Sequence, residues 1–115
     1  MTRPKYVEMA SHNIRIIWNY IFTEDTDNCG QIHHEHNRIL ISKLVQNQKR
    51  PETQIATTLF HELLHKASNI FAYENELTEN SINAIAELLT QAFVSNPDMG
   101  KYFVELAKME NKGGE

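Results

Sequence analysis

Apolar residues change their spacing about halfway along the chain. In the first half they form short runs rich in β-branched residues, which predict strands at 6–9, 14–18, 31–33 and 38–41. The last two runs flank the polar tetrad 34–37, an arrangement that predicts a β-hairpin. The first half of the chain is therefore expected to form a small sheet.

In the second half, apolar residues recur every three or four positions, which is the spacing of an amphipathic helix. One helix is predicted to begin at Pro51 and Glu52, a favourable first turn. A second is predicted after Thr78, whose hydroxyl suits the N-cap position, and a third from Pro97. The whole pattern predicts an α+β fold, in which a small antiparallel β-sheet packs against two or three helices.

The composition is that of an ordinary globular domain. The chain has 115 residues, of which 41% are apolar and 23% charged. We expect a single domain over residues 1–109. The polar residues 110–115, which end in Gly-Gly-Glu, are expected to form a flexible C-terminal tail.

Charge and cysteine content argue against several classes of protein. The formal net charge is -4 and the Lys and Arg residues are scattered, so we expect no nucleic-acid partner. The apolar runs are too short to cross a bilayer, and the first ten residues lack the apolar segment of a signal peptide, so we expect no membrane partner. The single cysteine, Cys29, is typical of a reducing compartment. These features predict a cytoplasmic protein and give no indication of its oligomeric state.

A metal-binding motif lies in the first predicted helix, where the sequence is His61-Glu62-Leu63-Leu64-His65. Histidines four residues apart lie on one face of a helix, so both imidazoles can bind one zinc ion at about 2.0–2.1 Å. Glu62 is placed to hold a water on the metal and to accept its proton. Because zinc lowers the pKa of such a water toward about 7, the motif predicts one Zn²⁺ per chain and hydrolysis of peptide bonds, with Glu62 as general base.

A catalytic zinc ion usually has a third protein ligand. The candidates are four glutamates downstream of the motif: Glu74, Glu76, Glu79 and Glu87. Glu79 begins the second predicted helix, where a carboxylate also favours the helix dipole without any metal. Asn83, one turn later, can orient His61 or His65. If the two helices are strictly antiparallel, Glu87 lies closer to the level of the histidines than Glu79 does, so the residues alone leave the third ligand open.

These motifs resemble those of the ImmA/IrrE family of gluzincin-type peptidases and of small zincin-like proteins from phages and prophages. In those families a glutamate opens the helix after HExxH, an Asn follows four residues later, and an alanine and leucines lie beyond, as in the segment 79–89 (ENSINAIAELL). Asn96-Pro97 closes this helix as in the phage group, and the resemblance covers residues 30–97. It implies that Glu79 is the third zinc ligand and that Glu62 is the catalytic base.

The resemblance also implies how a substrate binds. The strand formed by Arg38, Ile39, Leu40 and Ile41 would lie over the zinc and pair with an extended peptide or protein substrate by strand addition. We therefore expect a zincin-like metallopeptidase in the cytoplasm of a bacterium or of a phage-infected host. The alternative is a zinc-binding phage protein with a regulatory or structural role and no proteolytic activity.

Overall fold

The computed structural model describes residues 2–71 and 76–113. Within these residues, six strands precede three helices. The strands are β1 (Tyr6–Met9), β2 (His12–Tyr20), β3 (Gly30–His33), β4 (Arg38–Ser42), β5 (Leu44–Val45) and β6 (Gln48–Lys49); the helices are α1 (Glu52–Phe71), α2 (Glu79–Ser95) and α3 (Pro97–Gly113). This arrangement confirms the α+β fold predicted from the sequence.

The main sheet has the strand order β1-β2-β4-β3 and is mixed. β3 and β4 form the predicted hairpin, joined by a 3-10 turn at His34–His36, but β2 and β4 are parallel. The prediction of an antiparallel sheet is therefore wrong for this pair. β4 is the most buried strand, with Ile39, Leu40 and Ile41 all at most 5% exposed. Burial on this scale favours a central position in the sheet and leaves the more polar β3 at the edge.

One face of the sheet packs against α1 to form the core. Its buried side chains are isoleucines from two sheet strands and from the first turn of the helix: Ile14, Ile16, Ile39, Ile41 and Ile55. Leu59 and Leu63 of α1 pack against this cluster. Each buried isoleucine contributes about 1.5–3 kcal/mol, so the helix that carries the HExxH motif is fixed to the sheet by its apolar face.

Helix α2 packs antiparallel against α1. Thr78 caps α2 as predicted, since its Oγ1 accepts a hydrogen bond from the backbone N–H of Ser81 at 3.1 Å. Near the other end of α2, Thr57 of α1 donates to the hydroxyl of Thr90 at 2.7 Å. Ile82 and Ala86, both fully buried, form the inner face of α2 between these two points.

Helix α3 continues further than predicted. The tail was expected to begin at Glu110, but the helix extends to Gly113, because Glu110 and Lys112 are good helix formers. Residues 114 and 115 lie outside the described residues. Phe103 of α3 packs against Phe93 of α2, with ring centroids 5.9 Å apart and ring planes tilted by 45°. No helix in the described part of the chain has the length and apolar character needed to cross a bilayer.

The start of β3 lies in close contact with α1 at Gly30. A Cβ atom added to Gly30 would lie 2.5 Å from Cγ2 of Thr58, 3.2 Å from the backbone oxygen of Leu40 and 3.4 Å from Cγ of Glu62. Only a residue without a side chain fits between the helix and the neighbouring strand. Gly30 therefore sets the distance between β3 and the motif helix.

Arg50 holds the same region together. This arginine is 4% exposed, and its Nη1 donates to the backbone oxygens of Cys29 at 3.1 Å and Ser42 at 2.7 Å. Its Nη2 donates to the backbone oxygen of Gln54 at 3.2 Å and to the hydroxyl of Thr58. One buried guanidinium thus joins the start of β3, the end of β4 and the first turns of α1.

We expect Gly30→Ala to lower the free energy of unfolding by about 1–3 kcal/mol, because the new methyl group overlaps Thr58. Gly100→Ala is the matched control. No atom lies within 4 Å of a Cβ at Gly100, and in a helix this change should stabilise by about 0.5–1 kcal/mol. Chemical denaturation of both variants measures the difference, and an equal effect at the two glycines would contradict the close approach of β3 to α1.

Candidate metal centre

Three side chains with metal-binding groups converge between α1 and α2. Nε2 of His61 lies 3.1 Å from Nε2 of His65, and the two oxygens of Glu79 lie 2.9 Å from these nitrogens, one on each. Ligands placed tetrahedrally about 2.0–2.1 Å from zinc are separated by about 3.3 Å, so the three groups have nearly the spacing that the ion requires. Within residues 2–71 and 76–113, this is the one group of His, Cys, Asp and Glu side chains with such spacing.

The two histidines project from α1 on the side that faces α2. Their ring centroids are 4.8 Å apart, and their side chains are 20% and 30% exposed. Leu63, between them in the sequence, packs against the core cluster. The helical period thus leaves the two histidines accessible to solvent, while Leu63 of the same motif contributes to the core.

Glu79 reaches both histidines because the chain turns back along α1. The backbone N–H of Leu77 donates to Oγ of Ser68 at 2.8 Å, and Ser68 lies three residues after His65. α2 begins two residues after Leu77, so the side chain of Glu79 starts close to the level of His65. A strictly antiparallel helix pair was expected to bring Glu87, not Glu79, to the level of the histidines. The hydrogen bond to Ser68 instead holds the chain before α2 at that level, so Glu79 reaches both imidazoles.

The glutamates considered from the sequence are placed differently from one another. Glu79 contacts both histidines, whereas Glu87 lies two turns further along α2 and lines the neighbouring cavity. Glu76 lies outside the group with metal-ligand spacing. Glu74 lies outside the described residues.

Asn83 lies one turn after Glu79 on α2 and lines the same cavity as His61. Burial lowers the pKa of the His61 imidazole, and His65 adds to this effect, while Glu79 and Asn83 oppose it. A lowered pKa keeps the imidazole neutral near pH 7, which is the form that binds a metal. Asn83 thus lies near His61, and its role in orienting a ligand stays a prediction.

Glu62 is a buried carboxylate at the edge of this group. It is 5% exposed, and its Oε2 has no hydrogen-bond partner among the described residues. Burial raises the pKa of Glu62 from 4.5 to about 7, and the nearby Glu79 carboxylate adds to the increase. A carboxyl group with a pKa near neutrality can both accept and release a proton at physiological pH.

An open cavity of about 510 Å³ adjoins the cluster of His61, His65 and Glu79. The cavity is lined by the loop before β3 together with Gly30, by the face of α1 that carries the HExxH motif, and by one stripe of α2. Its lining residues include Asp27, Gly30, Glu62, Glu79, Asn83 and Glu87. The cavity is large enough for one or two amino-acid side chains beside the metal-binding group.

The strand Arg38–Ile41 cannot accept a substrate strand. All four of its residues are paired with β3, and Arg38, Ile39 and Leu40 are also paired with β2, so this strand lies inside the sheet and has no free edge. The prediction that Arg38, Ile39, Leu40 and Ile41 pair with substrate is therefore wrong. β3 is the edge strand on this side of the sheet, and its first residue, Gly30, lines the cavity.

Several residues that shape the site were not singled out from the sequence. A glycine at the start of a strand is a known sign of close backbone approach, so Gly30 carried a usable signal. Ser68 and Arg50 carried none, because their roles depend on backbone groups distant in sequence. Lys66 is 2% exposed, and its Nζ donates to the backbone oxygen of His34 at 3.4 Å, which joins the hairpin turn to α1.

Comparison with known proteins adds no further assignment, since no family model, curated protein or solved structure matches the chain.

The raised pKa of Glu62 predicts how stability depends on pH in the zinc-free protein. The folded protein holds this proton more tightly than the unfolded chain does. The free energy of unfolding should therefore fall as pH rises from 4.5 through about 7, by up to about 3 kcal/mol. Glu62→Gln should flatten this part of the profile, as measured by urea denaturation in the presence of a chelator.

Glu105→Gln is the control for that measurement, because Glu105 is 70% exposed on α3 and its removal should leave the slope unchanged. An identical slope in the wild-type protein and in Glu62→Gln would show that the Glu62 carboxyl is not held as described.

Proposed function

We propose that this protein is a zinc-dependent metallopeptidase. The observation that carries the proposal is the convergence of His61, His65 and Glu79 beside the buried carboxyl of Glu62, at the wall of an open cavity. Three protein ligands next to accessible space are typical of catalytic zinc sites, whereas structural sites are closed by four. The HExxH motif and its resemblance to gluzincins support the same assignment.

Each residue has a separate role in the proposed reaction. A zinc ion held by His61, His65 and Glu79 would lower the pKa of a water molecule toward about 7 and polarise the carbonyl of the bond to be cleaved. Glu62 accepts the proton of that water and later donates it to the leaving amine. The pKa of about 7 suits Glu62 to both steps, since the same group must gain and lose a proton near neutrality. Asn83 orients His61.

The edge strand β3 is the proposed binding element for the substrate backbone. Its inner side pairs with β4, and no other strand of the described residues pairs with its outer side. An extended peptide bound there would form main-chain hydrogen bonds along Gly30–His33 and reach the cavity at Gly30. A peptide or protein substrate is therefore proposed, in the cytoplasm, where the single Cys29 stays reduced.

The purified protein should contain about one zinc ion per chain, and Glu79→Ala should bind zinc at least about ten times more weakly. Glu87→Ala is the matched control, because it removes a glutamate from the same stripe of α2 without touching the histidines. Competition with a chromogenic chelator measures both affinities. Equal losses in the two variants would rule out Glu79 as the specific third ligand.

Glu62→Gln should retain the zinc content of the wild-type protein and lose peptidase activity by at least about a hundredfold, since only the proton carrier is removed. Activity is measured on a pool of unstructured peptides by mass spectrometry, with zinc content determined on the same samples. Stoichiometric zinc without cleavage by either protein would favour the regulatory or structural alternative.

A further inference from the structure

Helix α3 carries an apolar face that the described part of the chain leaves uncovered. Every residue from 101 to 111 is exposed. Three of these residues are large and apolar and lie on one face of the helix: Tyr102 is 63% exposed, Leu106 37% and Met109 68%. A contiguous row of exposed apolar side chains is typical of a surface that another molecule covers.

This face has the residue spacing of a coiled-coil seam. Its members follow one another at intervals of three, four and three residues, which are the a and d positions of a heptad repeat. We call them the α3 stripe: Met99, Tyr102, Leu106 and Met109. Charged residues lie on the other side of the helix, where Lys108 and Glu105 form an exposed ion pair at 3.5 Å. The stripe is therefore suited to packing along a second helix.

The position of α3 keeps this seam accessible along its length. α3 contacts α2 in its first half, where Phe103 packs against Phe93. A helix of 17 residues is about 25 Å long, so the second half extends past this contact. The Cα radius of gyration is accordingly 15.1 Å, whereas a compact domain of similar length has about 13 Å.

We propose that two copies of this chain form a dimer through α3, with the two helices packed antiparallel along the α3 stripe about a two-fold axis. In this register Met99 of one copy lies level with Met109 of the other, and Tyr102 lies level with Leu106. Every stripe position then has an apolar partner from the same four residues. This self-complementary spacing favours a second copy over a different protein. The inference is independent of the proposed peptidase function.

Charge favours the antiparallel direction. Glu105 and Glu110 flank the α3 stripe on opposite sides, at positions g and e of the heptad. In a parallel pair, Glu105 of each copy would lie beside Glu110 of the other, which gives two like-charge contacts. In the antiparallel pair, Glu110 lies beside the neutral Asn96, and one Glu105–Glu105 contact remains at the axis. Lys108, 3.5 Å from Glu105, offsets that contact.

The available area is sufficient for a reversible dimer. Phe103, which flanks the α3 stripe, is 48% exposed and adds to it. Covering the exposed parts of these side chains and their neighbours would remove roughly 1,000 Å² from water in the two copies together. This area is at the lower end of specific interfaces, so we expect a dissociation constant of about 10 µM.

Sedimentation velocity of the wild-type protein between about 1 and about 200 µM measures the association. The mean mass should rise with concentration from 13.3 kDa toward twice that value. A mass of 13.3 kDa at every concentration would overturn the proposal.

Two matched variants locate the interface. Leu106→Glu places a charge in the seam and should weaken the dimer at least about thirtyfold. Val104→Glu is the control, because Val104 is 54% exposed on the opposite face of α3 and its replacement should change the dissociation constant less than about threefold. Circular dichroism checks that both variants stay folded. Equal effects of the two substitutions, or a dimer that Leu106→Glu leaves intact, would rule out the α3 stripe as the interface.

Cross-linking tests the direction of the helices. Glu105→Cys and Glu110→Cys are each made in Cys29→Ser protein and treated with a bismaleimide that spans about 10 Å. In the antiparallel register the two copies of residue 105 lie about 3 Å apart along the axis, and those of residue 110 about 18 Å apart. Glu105→Cys should give at least about five times more cross-linked dimer. Equal yields at the two positions would contradict the antiparallel arrangement.

Discussion

The position of the proposed metal centre depends on the hydrogen bond between Ser68 and Leu77. Without it, a chain that leaves α1 at Phe71 would begin its next helix beyond the level of the histidines. With it, Leu77 is held beside Ser68 of α1, and Glu79 begins α2 beside His61 and His65. The register of α2 then follows, because Asn83 and Glu87 take the next two positions on the same stripe. One side-chain hydroxyl thus sets which residue of α2 lies beside the two histidines, and which residues follow it along the wall of the cavity.

A second constraint acts from the sheet. Gly30 lets β3 approach α1 so closely that a methyl group would overlap Thr58, and Arg50 holds both strand ends in place. This close approach buries Glu62 while the cavity next to it stays open. Burial raises the pKa of Glu62, so the packing of a structural glycine and the proton chemistry of the proposed base are directly linked. Glu62 is buried and Glu79 is exposed, although both line the same cavity.

Local patterns in the sequence were sufficient to predict most elements. The β1 strand, the cap at Thr78 and the start of α3 at Pro97 depend on neighbours within a few residues, and the structure agrees with each. The HExxH spacing brings two side chains together on any helix. What the sequence could not supply depends on distant contacts. The parallel pairing of β2 with β4 follows from competition among strands for the central position, which no single strand reveals.

The same limit explains the error about substrate pairing. The strand Arg38–Ile41 was assigned to the substrate through a resemblance, whereas strand addition requires a free edge, and only the complete sheet shows which strand has one. The third candidate ligand was predictable only in part. Residue spacing left four glutamates as candidates. Which of Glu79 and Glu87 lies beside the histidines depends on the hydrogen bond between Leu77 and Ser68, which the local sequence pattern does not predict.

The central claim is that His61, His65 and Glu79 bind one metal ion, and X-ray absorption spectroscopy of the protein titrated with zinc tests it most directly. The account predicts stoichiometric binding, with a first shell of nitrogen and oxygen at about 2.0–2.1 Å that includes two imidazoles. The imidazole signal should disappear in His61→Ala/His65→Ala. Binding below about a tenth of an equivalent, or a sulfur ligand at about 2.3 Å, would contradict the claim, because the ion would then be absent or held elsewhere.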